Sequence, residues 1–88
     1  MCIKLNELPL GNAGLVLQLL TEDMMTRQLQ ALGFIPGAVL QPLFAAPGGD
    51  PRAYWICGSC IALRNQDAAK ILVRQQAAEI SVPQQKEL

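Results

Sequence analysis

At 88 residues the chain has room for one domain and not for two that each bury a core of their own. A hydrophobic share of 51% against 16% charged residues excludes a disordered polymer, because there is enough apolar surface to offset the ordering of the backbone. Seven basic residues scattered from Lys4 to Lys86, with seven acidic residues interspersed among them, sum to a formal net charge of zero, so there is no basic patch to displace counterions and nucleic acid is not an expected partner.

In the opening segment Leu5, Leu8 and neighbouring polar residues have helical spacing, but Pro9 and Gly11 stop it, so a short turn is predicted. Residues 14–20 are apolar with one break, the pattern of a mostly buried strand. Thr21-Glu22-Asp23 then offers a capping hydroxyl and acids for the positive first turn of a helix over 21–32, with Met25, Leu29 and Leu32 on one face. Gly33 is placed to end that helix in a left-handed conformation, with Phe34 folding back toward Leu29 as in a Schellman cap. Pro36-Gly37 makes a tight turn into a strand over 38–44, where Pro42 cannot donate to a ladder and so implies a sheet edge or a bulge.

Residues 46–51 have the composition of an exposed loop, and strand character resumes over 52–57. Gly58-Ser59 suits a two-residue hairpin turn of type II′. That loop sets Cys57 opposite Cys60, Ile56 opposite Ile61, Trp55 opposite Ala62 and Tyr54 opposite Leu63, with Tyr54, Ile56, Ile61 and Leu63 facing the core. Asn65 can cap a short helical turn near 66–70, and Ile71-Leu72-Val73 reads as a final strand closing the sheet. The domain is expected over 1–74, and the polar residues 75–88 as a frayed or disordered tail. Five short strands around one inserted helix predict a mainly β fold, a small and strongly bent SH3-like barrel.

Several segments in this order resemble the ferrous iron transport protein A (FeoA) family over residues 5–73. They are Leu5-Asn6-Glu7-Leu8-Pro9-Leu10-Gly11, the helix exit Leu32-Gly33-Phe34-Ile35-Pro36-Gly37, the loop Ala46-Pro47-Gly48-Gly49-Asp50-Pro51, and Ile61-Ala62-Leu63-Arg64 leading to Asp67-Ala68-Ala69-Lys70-Ile71. The resemblance implies an SH3-like fold and a role in bacterial ferrous iron uptake. The partner it implies is the inner-membrane ferrous iron transporter that carries a GTP-binding domain on its cytoplasmic side. A related domain ends iron-dependent repressors. No helix-turn-helix region is read ahead of Leu5, so a free-standing accessory is expected.

The termini and composition bear on where that would happen. Met1-Cys2-Ile3-Lys4 lacks the features of a secretory signal, and the odd count of three cysteines suits reduced thiols, so a cytoplasmic location is expected. The longest apolar runs, over 15–20 and 38–46, are interrupted by Gln18 and by Gln41-Pro42 and fall short of the ~20 residues of a spanning helix. Membrane insertion of the chain itself is not expected.

For chemistry the residues offer little. There is no histidine to shuttle protons near neutral pH, and Glu22-Asp23 is explained by the helix start. The glycine-rich loop lacks the Lys-Ser/Thr of a phosphate-binding loop. A binding module and not an enzyme is expected, with no cofactor. The expected partner contacts are Pro47, Asp50 and Pro51 of the loop, with Trp55 as an aromatic anchor. A groove between the loops of such a barrel would accept an extended, proline-rich segment. Cys57 and Cys60 supply half of a four-thiolate site, which two chains together could complete for zinc or iron across a homodimer. Compact apolar packing of the two thiols is the simpler expectation. The alternatives to the accessory role are a free-standing metal-sensing domain and a peptide-binding adaptor unrelated to iron.

Overall fold

The computed structural model describes residues 2–76. Strand β1 (Cys2–Lys4) leads into a 3-10 helix (Leu5–Glu7), followed by β2 (Gly14–Leu19), α1 (Asp23–Ala31), β3 (Val39–Ala45), β4 (Arg52–Ile56), β5 (Ser59–Leu63), α2 (Asn65–Ala68) and β6 (Ile71–Gln75). The six strands form one sheet in the order β1-β6-β2-β3-β4-β5, with every neighbouring pair antiparallel. The sixth strand is β1, which sequence patterning passes over because three residues are too few to show a period. The final strand does not close one end of the sheet. β6 lies between β1 and β2. It runs to Gln75, whose neighbour Gln76 donates its N–H to the Ala13 carbonyl at 2.8 Å, so the sheet takes in the first residue assigned to the tail. The rest of that predicted tail, 77–88, lies outside the described residues.

The sheet curves around one core. Leu5, Leu8, Phe34, Leu40, Tyr54 and Ile71 are each fully buried, and each such side chain contributes about 1.5–3 kcal/mol of transfer free energy. Turning the 3-10 segment inward brings Leu5 and Leu8 from one end of the chain onto β4 and β6 residues from the other.

Helix α1 ends as its sequence dictates. The Phe34 N–H donates to the Leu29 carbonyl and the Gly33 N–H to the Gln30 carbonyl, both at 3.0 Å, around a Gly33 at φ +107°. This is a Schellman cap, and it buries Phe34 beside Leu29. The start of the helix differs from expectation. Glu22 is the N-cap and makes no side-chain cap bond. Thr21 lies one residue too early to reach the first free N–H groups, and its hydroxyl instead meets that of Thr26, which also donates to the Thr21 carbonyl at 3.0 Å. Of the predicted face, Leu29 is buried and Met25 packs partly against the core, but Leu32, at the cap, is 42% exposed.

Pro42 sits in a central strand at a bulge and not at an edge, since the β3 to β4 register shifts between Pro42 and Phe44. It is tolerated because it faces Tyr54 at a position whose backbone groups point away from β4, and its carbonyl accepts from the Gly11 N–H at 2.7 Å.

The hairpin register differs by two from the expected one. Ile56 pairs with Ser59, Trp55 with Cys60, Tyr54 with Ile61 and Arg52 with Leu63, so the loop is Cys57-Gly58. Both loop residues have positive φ, +51° and +77°, as a type I′ turn requires. Type I′ matches the twist of the flanking strands, and Cys57 accepts a left-handed conformation to provide it. Because the pairing moves by two positions, the faces are unchanged, and Tyr54 and Ile56 are buried as the alternation predicts.

Candidate functional site

Loop 46–51 is exposed yet tightly held. The Ala46 N–H donates to the Pro51 carbonyl at 2.9 Å, and the Gly49 N–H to the Ala46 carbonyl at 2.8 Å. Asn65, predicted to cap its own helix, is instead the first residue of α2 and clips the loop from outside. Its backbone N–H donates to Asp50 Oδ1 at 2.9 Å and its Nδ2 to the Gly49 carbonyl at 3.0 Å. Pro47, Asp50 and Pro51 are therefore presented at the surface on a fixed frame, with one Asp50 oxygen already engaged.

The strands on either side of this loop extend the surface. Phe44, 58% exposed, lies opposite Ala53, and Trp55 lies opposite Gln41 on one side and Cys60 on the other. Alternation places Phe44, Trp55, Cys60 and Ala62 on the outer face of the sheet with Ala53, which is itself buried among its neighbours. Trp55 is half-buried there, so it shares the face with the loop's base but presents only part of its ring. Sequence reasoning missed Phe44. It read as an ordinary strand residue, and only the bulge after Pro42 turns it outward.

The two thiols of the hairpin have different surroundings. Cys57 occupies the turn with its Sγ 3.9 Å from the Gly33 carbonyl, at the end of α1, whereas Cys60 is a strand residue paired with Trp55. Among the described residues, no three Cys, Asp or Glu side chains converge as metal ligands.

Behind the loop lies a buried cation that composition gave no reason to single out. Arg52 is 8% exposed, and its guanidinium donates to the Asn6 carbonyl at 2.6 Å and to the buried Leu8 carbonyl. The guanidinium carbon also sits 5.5 Å from the centroid of the Tyr54 ring, within cation–π range. Burial raises the Tyr54 phenol above its ordinary pKa of 10.0, the Arg52 charge opposes that shift, and the Asp50 carboxylate adds to it. The phenol oxygen has no hydrogen-bond partner among the described residues.

A consequence can be measured. The folded state holds the Tyr54 proton more tightly than the unfolded chain, so this stabilisation is complete below pH 10 and is lost as pH rises through the higher folded pKa. Tyr54→Phe removes a buried polar group that has no partner. It should leave stability at pH 7 unchanged or slightly higher, and it should flatten the decline that sets in above about pH 10. Thermal unfolding of both proteins across that range is the check, and a parallel decline in the two would remove Tyr54 as its source.

No helix among the described residues is long and apolar enough to cross a membrane. Residues 3–75 match the family model of the FeoA domain. The chain is similar to the FeoA protein of Chlorobium tepidum at 30% identity and a TM-score of 0.79, covering 96% of this chain and 84% of that one. The FeoA-like protein of Clostridium acetobutylicum is 27% identical with a TM-score of 0.79, covering 92% and 94%. Stenotrophomonas maltophilia FeoA, solved in complex with zinc, is 29% identical with a TM-score of 0.71, covering 84% and 89%. That protein is described as a prokaryotic SH3 domain protein and put forward as a bacterial ferrous iron transport activating factor. The curved six-stranded sheet is thus of the SH3-like kind predicted. No curated protein matches the chain.

Proposed function

This chain belongs to the FeoA domain family, and from that premise we propose that it is a cytoplasmic, non-catalytic accessory protein of bacterial ferrous iron uptake. In this reading it binds the cytoplasmic side of the membrane transporter that carries a GTP-binding domain, and changes that transporter's activity. The observation that carries the proposal is the match of the family model over residues 3–75, which includes the loop, the helix exit and the strands that frame the exposed surface.

The surface supports a docking role. A prolyl loop held at both ends by internal bonds, and clipped again by Asn65, loses little conformational entropy when a partner seats on it. Beside it, Phe44 supplies exposed aromatic area and Trp55 part of another ring, the residue types that dominate interface energetics. Pro47, Pro51 and Phe44 form the proposed contact, with Trp55 at its margin. Asp50 acts mainly as the internal tie to Asn65.

Pull-down of the transporter from detergent-solubilised bacterial membranes by the tagged protein tests this. The wild type should retain it. Phe44→Ala should weaken retention by about tenfold or more, as expected for an interface anchor worth over 1.4 kcal/mol. Phe44 is exposed, so circular dichroism should show the variant folded. A wild-type protein that retains no transporter would end the accessory reading, and an undiminished Phe44→Ala would move the contact elsewhere.

A further inference from the structure

Among the described residues β5 ends the sheet, with β4 as its neighbour on one side only. Its pairing shows which backbone groups are left over. In a two-residue hairpin the pair next to the loop, Ile56 with Ser59, exchanges both hydrogen bonds, and the pattern then alternates. Ile61 and Leu63 therefore bond to β4, while the N–H and carbonyl groups of Cys60 and Ala62 point out along the free edge. The opposite row agrees. Trp55 and Ala53, partners of Cys60 and Ala62, turn their backbone groups to Gln41 and Phe44 on β3.

Sheet edges are ordinarily blunted by lysine, proline, a bulge or a covering element. β5 reads Ser-Cys-Ile-Ala-Leu, with no charge and no proline, and its pairing with β4 runs without a bulge. Cys60 and Ala62 are exposed and Ile61 is half-buried. From this we infer that β5 is a homodimer interface, at which a second copy of the chain adds its own β5 antiparallel to the first.

The observations favour a second copy over another occupant because the edge is complementary to itself. With Ile61 on the two-fold axis, Cys60 lies opposite Ala62 of the second copy and Ala62 opposite its Cys60, so all of the outward groups of these residues pair at once. Ile61 then meets its own counterpart in a non-hydrogen-bonded pair, the closer of the two geometries, and its exposed part is covered. Gly58 comes opposite Arg64, and no like charges face each other across the junction. A chain of zero net charge also has no long-range repulsion to overcome. Two six-stranded sheets would thereby become one continuous twelve-stranded sheet, with the outer faces of both copies on the same side.

Two measurements test this on the full chain. Sedimentation equilibrium from micromolar to millimolar concentration should show reversible association to twice the chain mass. Ala62→Pro deletes an outward N–H while leaving the ladder to β4 intact, and should shift the midpoint upward at least tenfold. Ala62→Lys, which gives the edge a charge without altering the backbone, should do the same should the proline variant fail to fold. In the background Cys2→Ser, Cys57→Ser, Cys60→Ser, the further change Ile61→Cys should give a disulfide-linked dimer on mild oxidation, since a non-hydrogen-bonded pair brings the Cα atoms to about 4.5 Å, within disulfide reach. A chain that stays monomeric to millimolar concentration would overturn the inference, as would a dimer unaffected by both edge substitutions.

Discussion

Replacing Arg52 with methionine should destabilise the fold by about 3 kcal/mol, because two carbonyls of the N-terminal segment lose their donors and at least one of them stays out of water. Asn6 and Leu8 precede Arg52 by more than forty residues, and Leu5 and Leu8 both belong to the core that this clamp helps to assemble. Methionine keeps most of the aliphatic stem, so the loss measured is that of the hydrogen bonds and the contact with the Tyr54 ring. Removing a buried cation recovers some desolvation cost, since no carboxylate bonds to this guanidinium among the described residues, but bonds to a charged donor are individually worth about 1.5–3 kcal/mol and two are lost. The losses win. For a domain of this size the melting temperature should fall by roughly 10–20 °C. Arg52→Lys should recover less than half of that, because one ammonium cannot reproduce the planar fork that spans both carbonyls. A fall of less than about 3 °C for Arg52→Met, followed by circular dichroism, would show that the clamp contributes little. Ala45 pairs with Arg52 at the base of loop 46–51, so the methionine variant should also bind the transporter less well than its folded fraction alone explains.

What the sequence disclosed and what it concealed divide along the range of the interactions. The exit of α1 was legible because everything in it is local. A glycine after an amphipathic run, then an apolar residue able to reach back one turn, is enough to specify the two cap bonds that form. The core face of the hairpin was legible for a similar reason, since alternation survives an error of two in register. The loop position was not, because Cys57-Gly58 and Gly58-Ser59 both make acceptable turns and the choice is made by twist and by what lies under the turn. In the sequence Arg52 is indistinguishable from an ordinary strand residue. Its role depends on carbonyls that are distant in sequence, and no local pattern encodes them. Phe44 and Asn65 escape local pattern in the same way, the first because a bulge decides which face it takes, the second because its acceptor is a loop fifteen or so residues earlier. The loop itself is legible in its proline and glycine composition, and the structure adds what holds it in place.

Gly33→Ala should cost about 3 kcal/mol, as much as the loss of Arg52, and its origin can be separated by a second change. Part of the cost is backbone strain. Gly33 has φ +107°, a conformation that costs an L residue about 1–2 kcal/mol. The rest is contact, since a Cβ at position 33 would come within 2.6 Å of Cys57 Sγ and 3.0 Å of Cys57 Cβ. Cys57 cannot easily retreat, being fixed in the hairpin turn at φ +51°. Cys57→Gly removes both offending atoms and relieves that positive φ, offset by a lost packing contact and a freer unfolded chain, so alone it should be close to neutral. In the Cys57→Gly background, Gly33→Ala should then cost only its backbone part, leaving a coupling of about 1–2 kcal/mol between the two positions. Urea denaturation of the four proteins gives the cycle. A Gly33→Ala cost that is the same with and without the Cys57 side chain would mean that the turn does not press on the helix end. A coupling of the expected size would instead make Cys57 a packing residue that locks the hairpin tip to the α1 cap, which accounts for a thiol at that position without any ligand.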